Sequence, residues 1–343
     1  MSRREPWEHA TKDGTLAIAS ATTRQAAKDS LARLRPRGGT AIGKWLRYAR
    51  ELFEQREDTL RHAILLTDGQ NGQLPGTLAA AIEECQGVFS CDCRGVGTDW
   101  EVSELRKISA ALLGTVDIVP DPAGLAADFE AMMTASMAKE VADVALRVWT
   151  PQRARIRFVK QVAPAVEDLT ARRVPAASQA GDYPTGAWGN ESRDYHHLCV
   201  DVEPAAEGQE MLAARVSLIL GTASGPRTLG QGLVRAIWTG DEAMSTRINR
   251  HVAHYTGQAE LAQAIQDGLE ARKAGDDDAA AARLGRAVAL AQQSGNQDTA
   301  SLLARVVDVI DPVTGTVRLK VGIANADEMA LDTRSSKTVR IKK

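Results

Sequence analysis

Between residues 22 and 139 the apolar positions switch repeatedly between a helical and an extended pattern. Thr22 and Gln25 have the spacing of a helix-capping box; Ala27, Leu31 and Leu34 then recur on one helical face until Pro36 and Gly38 end the run. Ile42, Leu46, Ala49 and Phe53 predict a second helix. Ala63, Ile64, Leu65 and Leu66 form a short continuous apolar run, the pattern of a strand covered on both faces, which stops at Thr67-Asp68-Gly69. Pro75 suits a first helical turn, with Leu78, Ile82 and Cys85 on one stripe, and a second strand is expected within 88–96. A helix over 101–112, a strand at Val116–Val119 and a helix over 122–139 complete the series. Strands alternating with helices predict parallel strands joined by right-handed crossovers, hence a doubly wound, Rossmann-like α/β domain over residues 1–140.

Near residue 140 the period becomes two. Val144, Leu146 and Val148 alternate with polar neighbours, as do Ile156 and Phe158, and further strands are expected at Leu198–Val202, Leu212–Leu220 and Leu229–Trp238. This predicts a β-sandwich over 141–240, with the Pro-, Gly- and Ser-rich stretch 172–194 as a long loop. Ala-rich helical stripes return over 241–310, broken at Gly275-Asp276 and Ser294-Gly295-Asn296, which predicts three helices in hairpins resembling one or two tetratricopeptide-like units. Residues 311–343 read as an extended basic tail.

A chain of 343 residues, 44% hydrophobic and 25% charged, has the balance of a soluble globular protein of two or three domains. A formal net charge of -2 argues against a general nucleic-acid binder. The basic groups Arg33, Arg35, Arg37, Lys44, Arg47 and Arg50, and Lys337, Arg340, Lys342 and Lys343 at the other end, read as solvated charge. No apolar run approaches the ~18 residues of a membrane span, and the polar opening has no signal-peptide core, so a cytoplasmic chain is expected. Four cysteines are too few for a disulfide scaffold. Cys91 and Cys93 share one face of a strand and read as buried thiols.

Candidate chemistry gathers at Gly38-Gly39-Thr40-Ala41-Ile42-Gly43 and, about 25 residues later, Thr67-Asp68-Gly69. Thr40 precedes a helix and Asp68 leaves the C-terminal end of a strand, so both can face the crevice where open α/β sheets gather ligands. A hydroxyl and a carboxylate there are oxygen donors suited to Mg²⁺. At these residues the chain resembles the von Willebrand factor type A (VWA) family, bacterial members of which also carry trailing sandwich and helical modules. In that family a metal-ion-dependent adhesion site joins a D-x-S-x-S segment, a Gly-Gly-Thr threonine and a T-D-G aspartate. The resemblance implies Thr40 as the middle ligand and Asp68 as the last, with Gly38, Gly39 and Gly69 shaping the loops. It also implies that the metal's open position takes an Asp or Glu carboxylate from a protein partner, a recognition device and not a catalyst.

No D-x-S-x-S occurs in the sequence, and Asp332 with Ser335 and Ser336 has the wrong spacing. The family's first strand, first helix and second strand belong before residue 15. A partial VWA domain is therefore expected, with weak or absent Mg²⁺ binding and a free edge on strand 63–66. Two alternatives stand beside this interaction module. One is a truncated or mis-started VWA protein acting as a metal-independent scaffold through its sandwich and helical parts. The other is an NTPase using Gly38 to Lys44, although a phosphate loop needs a preceding strand and a Ser or Thr where Trp45 stands. His251 and His254 could share one helical face, but no third ligand lies near in sequence, and His196 and His197 would point to opposite sides of a strand. No nucleophile-and-base arrangement is readable, so no enzyme is expected.

Overall fold

The computed structural model describes residues 16–33, 35, 38–55, 59–189, 194–222 and 224–340. Two compact units divide the chain at Val116 and Asp117.

The first unit opens with helix α1 (Ala21–Leu31). Ser20, and not Thr22, caps it: the Ser20 hydroxyl accepts from Thr23 N at 3.1 Å and Thr23 Oγ1 accepts from Ser20 N at 2.8 Å. The box thus sits two residues earlier than its spacing suggested, and α1 buries no residue. Leu34 and Pro36 lie outside the described residues, as do Arg37, Lys342 and Lys343. Next come α2 (Ile42–Glu54), β1 (His62–Thr67), α3 (Pro75–Cys85), β2 (Ser90–Val96) and α4 (Val102–Ala111); β3 (Val116–Val119) follows, starting at the last residue of this unit. The sheet order is β1-β2-β3, with β1 parallel to β2 from His62 opposite Ser90 to Thr67 opposite Gly95. Ile42 and Leu46 of α2 and Leu78, Ala81 and Ile82 of α3 are buried, and Cys85 donates to Leu46 O at 3.4 Å, tying the two helices together. Cys85, Cys91 and Cys93 are fully buried, and burial pushes the Cys85 thiol up to about 11. Leu66, expected inside, is 37% exposed. Among the described residues β1 is paired on one side only, so its outer flank has no neighbouring strand to shield it.

In the second unit α5 (Leu125–Met137) leads into two antiparallel sheets. Their strands are β4 (Lys139–Trp149), β5 (Ala154–Ala163), β6 (Glu167–Asp168), β7 (Val174–Ala177), β8 (Ala180–Gly189), β9 (Tyr195–Val202), β10 (Glu210–Leu220) and β11 (Arg227–Ile237). One sheet has the order β11-β10-β4-β8-β7 and the other β6-β5-β9. Val148, Tyr183 and Ala214 from the first meet Val159 from the second and Leu169 in a shared core. Much of the stretch expected as a loop is strand, at 174–177 and 180–189: β8 lies between β4 and β7, with Tyr183 opposite Leu146 and Asp182 opposite Arg147. Its Gly and Pro content hid it. Pro184 is accommodated at a register irregularity, where a missing N–H costs no ladder bond, and Arg147 clasps Asp182 at 2.7 and 2.8 Å.

Helices α6 (Glu242–Ser245), α7 (Arg250–Lys273), α8 (Asp277–Ser294) and α9 (Gln297–Val306) follow. Asp276 caps α8 and Asn296 caps α9, while Gly295, at φ +67°, takes the left-handed position that ends α8. Among residues 311–340 of the expected extended tail, regular elements are present. Strands β12 (Val307–Asp311) and β13 (Thr316–Leu319) form a hairpin, and α10 (Asn325–Arg334) buries Ala330, Leu331 and Thr333. Few apolar residues mark this helix, which is why its polar majority read as tail. Beyond it, Ser336 O accepts from Val166 N at 2.7 Å and Thr338 N donates to Pro164 O at 3.0 Å, so the segment runs beside the turn after β5. No helix among the described residues is long and apolar enough to cross a membrane.

Candidate functional site

The two motifs meet at the start of α2. Gly38 adopts φ +80°, a left-handed turn that brings the chain into Thr40. Ala41 at the helix boundary offers no capping side chain, and the first amides of α2 are satisfied from the loop after β1: Ile42 N donates to Asn71 Oδ1 at 3.3 Å and Gly43 N to Gln73 Oε1 at 2.7 Å. Gly72 N donates to Thr40 O at 2.7 Å. Thr67 is buried and ties its own turn, donating to Gly69 O at 2.8 Å. A Cβ on Gly69 would lie 3.3 Å from Thr40 Oγ1, so the threonine hydroxyl rests against the T-D-G turn. Asp68 is exposed, and its carboxylate makes no hydrogen bond among the described residues. From the start of α4, Glu104 accepts from Asn71 N, and Glu101, at its N-cap, accepts from Gln70 Nε2, each at 3.3 Å. The structure places Thr40 against Gly69 of the T-D-G turn; the sequence signals did not disclose Asn71, Gln73, Glu101 and Glu104, the side chains that hold the loop.

A family model for the von Willebrand factor type A domain matches residues 8–118, and a second, for the von Willebrand factor type A C-terminal domain, matches residues 289–335. A solved von Willebrand factor type A protein from Catenulispora acidiphila is 54% identical, covering 97% of this chain and 78% of that one, with a TM-score of 0.92. The chain belongs to the von Willebrand factor type A family. An uncharacterized Synechocystis protein is 26% identical over 156 residues, 44% of this chain, and the chain spans 37% of that curated relative's length. The ArnB paralog VWA2 from Sulfolobus acidocaldarius is 13% identical over 89% of this chain and 71% of its own, with a TM-score of 0.48.

Many VWA domains hold a metal ion, and the donor set here can be tested against one. Thr40 and Asp68 supply a hydroxyl and a carboxylate. Mg²⁺ asks for near-octahedral oxygens and dehydrates reluctantly. Among the described residues no three His, Cys, Asp or Glu side chains cluster as a metal site, and the D-x-S-x-S donors are not in the sequence. The segment from Gly38 to Lys44 also departs from a phosphate loop, since the preceding element is helix α1 and Gly43 is buried inside α2, where a Cβ would lie 2.8 Å from Gln73 Oε1.

Other polar groups are held for structure. Asp92 accepts from Thr115 N at 2.6 Å and Thr115 Oγ1 at 2.7 Å, and lies 2.8 Å from His62 Nε2. Burial opposes its charge, but these bonds outweigh burial and bring its pKa down to about 2. In the second unit Arg334 and Lys337 donate to Asp117 at 2.8 and 2.6 Å, lining a cleft of about 440 Å³ together with Asn296, Asp298 and Arg305. Asp117 is held below the usual carboxylate range: burial raises it, and the two cations lower it further. His251 is exposed, whereas His254 contacts Val339 O at 2.9 Å and packs edge-on to Tyr255, so the two imidazoles have separate surroundings. Burial alone brings His196 down to about 4.

Proposed function

We propose that this chain is a non-enzymatic protein-binding module whose partner-facing surface is the loop edge formed by Gly38, Gly39 and Thr40 with Thr67, Asp68 and Gly69. The observation that carries this reading is the seating of Thr40 Oγ1 against a rigid T-D-G turn while the neighbouring Asp68 carboxylate stays exposed. Loops fixed by a scaffold and ending in an unsatisfied charge are where binding groups concentrate. Family membership supports protein interaction as the task. VWA relatives use Mg²⁺ there to engage an Asp or Glu carboxylate of the partner. With two oxygen donors the ion binds weakly in this chain, and metal-assisted recognition is impaired. Two antiparallel sheets sharing one core, read as a β-sandwich, and the helical hairpins add further surface.

A partner-capture experiment tests the reading. The immobilised chain and its Asp68→Arg variant are compared with and without a chelator, bound protein being quantified by mass spectrometry. Capture that falls with Asp68→Arg but persists in chelator is expected. Capture unchanged by Asp68→Arg would exclude the loop edge, and complete release by chelator would mean that the metal site is functional.

A further inference from the structure

A second binding surface lies in the other unit, on strand β11. The five-stranded sheet is wider than the three-stranded sheet it faces, and the shared core ends at β10: Val148, Tyr183, Ala214 and Val216 take part, and no residue of β11 does. Gly230 and Gly232 show the overhang directly, because a Cβ built on either meets nothing within 4 Å. Along the whole strand only Ala236 is better than exposed. Leu229, Leu233, Val234 and Ile237 are 47%, 55%, 38% and 57% exposed. With Met244, Ile248 and Val252 they make seven of the 21 exposed large apolar side chains among the described residues, concentrated between positions 229 and 252. Exposed apolar residues scattered singly need no explanation, whereas four on one strand, Leu229, Leu233, Val234 and Ile237, form a patch of the kind that marks an interaction surface.

The backbone adds to the case. Among the described residues β11 is hydrogen-bonded only to β10, so its other edge offers free N–H and C=O groups along 11 residues. At ~3.4 Å per residue that is roughly 37 Å of open edge. Proteins usually guard such edges with lysine, proline or a covering element. Here the strand has neither residue type and carries two glycines, which leave room for a close backbone approach.

The charges choose the occupant. Arg227 and Arg235 are the strand's charged residues, and Arg215, opposite Leu233 on β10, adds a third cation. Glu210 pairs with Arg235 at 3.1 Å, leaving the ribbon net positive. A second copy of β11 would bring arginine only towards arginine, which is unfavourable across a strand pair. We propose that β11 is a strand-accepting edge that binds an extended segment of a partner polypeptide, apolar at alternate positions and carrying carboxylates towards its ends. Main-chain bonds supply the affinity and the arginines select the sequence.

The test uses the full chain and a dye-labelled eleven-residue peptide of alternating valine and threonine with a glutamate at each end, against the same peptide with lysines. Anisotropy reads binding and amide exchange reads its place. The acidic peptide is expected to bind at least about tenfold tighter than the basic one and to slow exchange over residues 227–237. The double variant Leu233→Glu, Ile237→Glu should lose binding of the acidic peptide with an unchanged melting temperature, since both side chains are more than half exposed. Equal binding of the two peptides, slowing elsewhere than β11, or no binding would overturn the proposal. So would a concentration-dependent dimer in sedimentation that protects β11 without peptide, which would make a second copy the occupant.

Discussion

Asp68 and Asp117 are strand-associated carboxylates with opposite fates. Asp68 stands just past the end of β1, exposed and without a hydrogen bond among the described residues. Asp117 lies inside β3, 8% exposed, between Arg334 and Lys337. A carboxylate already satisfied by two cations has its charge committed to the fold, whereas an exposed one on a stiff turn keeps its charge for an outside partner. The same contrast separates the loops around them. The segment 69–73 is stitched to α2 by Asn71 and Gln73 and to Thr40 before it by Gly72, so the turn is held in place while the acid it presents stays exposed.

The largest test of this contrast removes the committed charge. Asp117→Ala leaves Arg334 and Lys337 facing each other without their acceptor and should cost about 2–3 kcal/mol in denaturant unfolding. A loss below about 0.5 kcal/mol would show that the clamp contributes little to stability. Gly43→Ala comes next: its Cβ would lie 2.8 Å from Gln73 Oε1 and 3.3 Å from Ala81 Cβ, so Gln73 must leave the Gly43 amide. A cost of about 1–2 kcal/mol is expected from the strain and the lost amide partner. Faster exchange of the Gly43 amide would place the damage. The pH dependence of the first unit follows from Asp92. Its folded pKa of about 2 lies below the ordinary 3.8, so its contribution is complete above about pH 4 and disappears as pH falls towards 2. That contribution is about 2 kcal/mol, and Asp92→Asn should flatten the acid limb of a melting-temperature profile; an unchanged limb would assign it to other carboxylates.

Legibility in the sequence followed the range of the interactions. The periodic stripes of α2, α3 and α4 and the apolar core of β1 are local, and each element lies within a few residues of its expected position. Gly-Gly-Thr and T-D-G were readable because backbone turns leave local signatures. β8 was missed because its glycines and proline mimic a loop, and its strand character comes from β4 and β7 on either side. The helix Asn325–Arg334 was missed because few apolar residues drive its burial. The clamp on Asp117 joins residues 217 and 220 positions apart, a distance over which spacing carries no signal. The side chains that hold the T-D-G turn, Asn71 and Gln73, lie close by in sequence, but their acceptor role depends on α2 arriving uncapped.

The smallest expected effect is on stability at Asp68, and it carries the central claim. Asp68→Ala should change stability by less than about 0.5 kcal/mol, as exposed positions do. Titration calorimetry with millimolar Mg²⁺, paired with thermal melts of the natural chain and the variant, is the most direct measurement. Without the D-x-S-x-S donors, the expected result is no saturable heat and the same melting temperature for both proteins with and without Mg²⁺. Saturable Mg²⁺ binding that stabilises the natural chain and vanishes in Asp68→Ala would contradict an incomplete adhesion site.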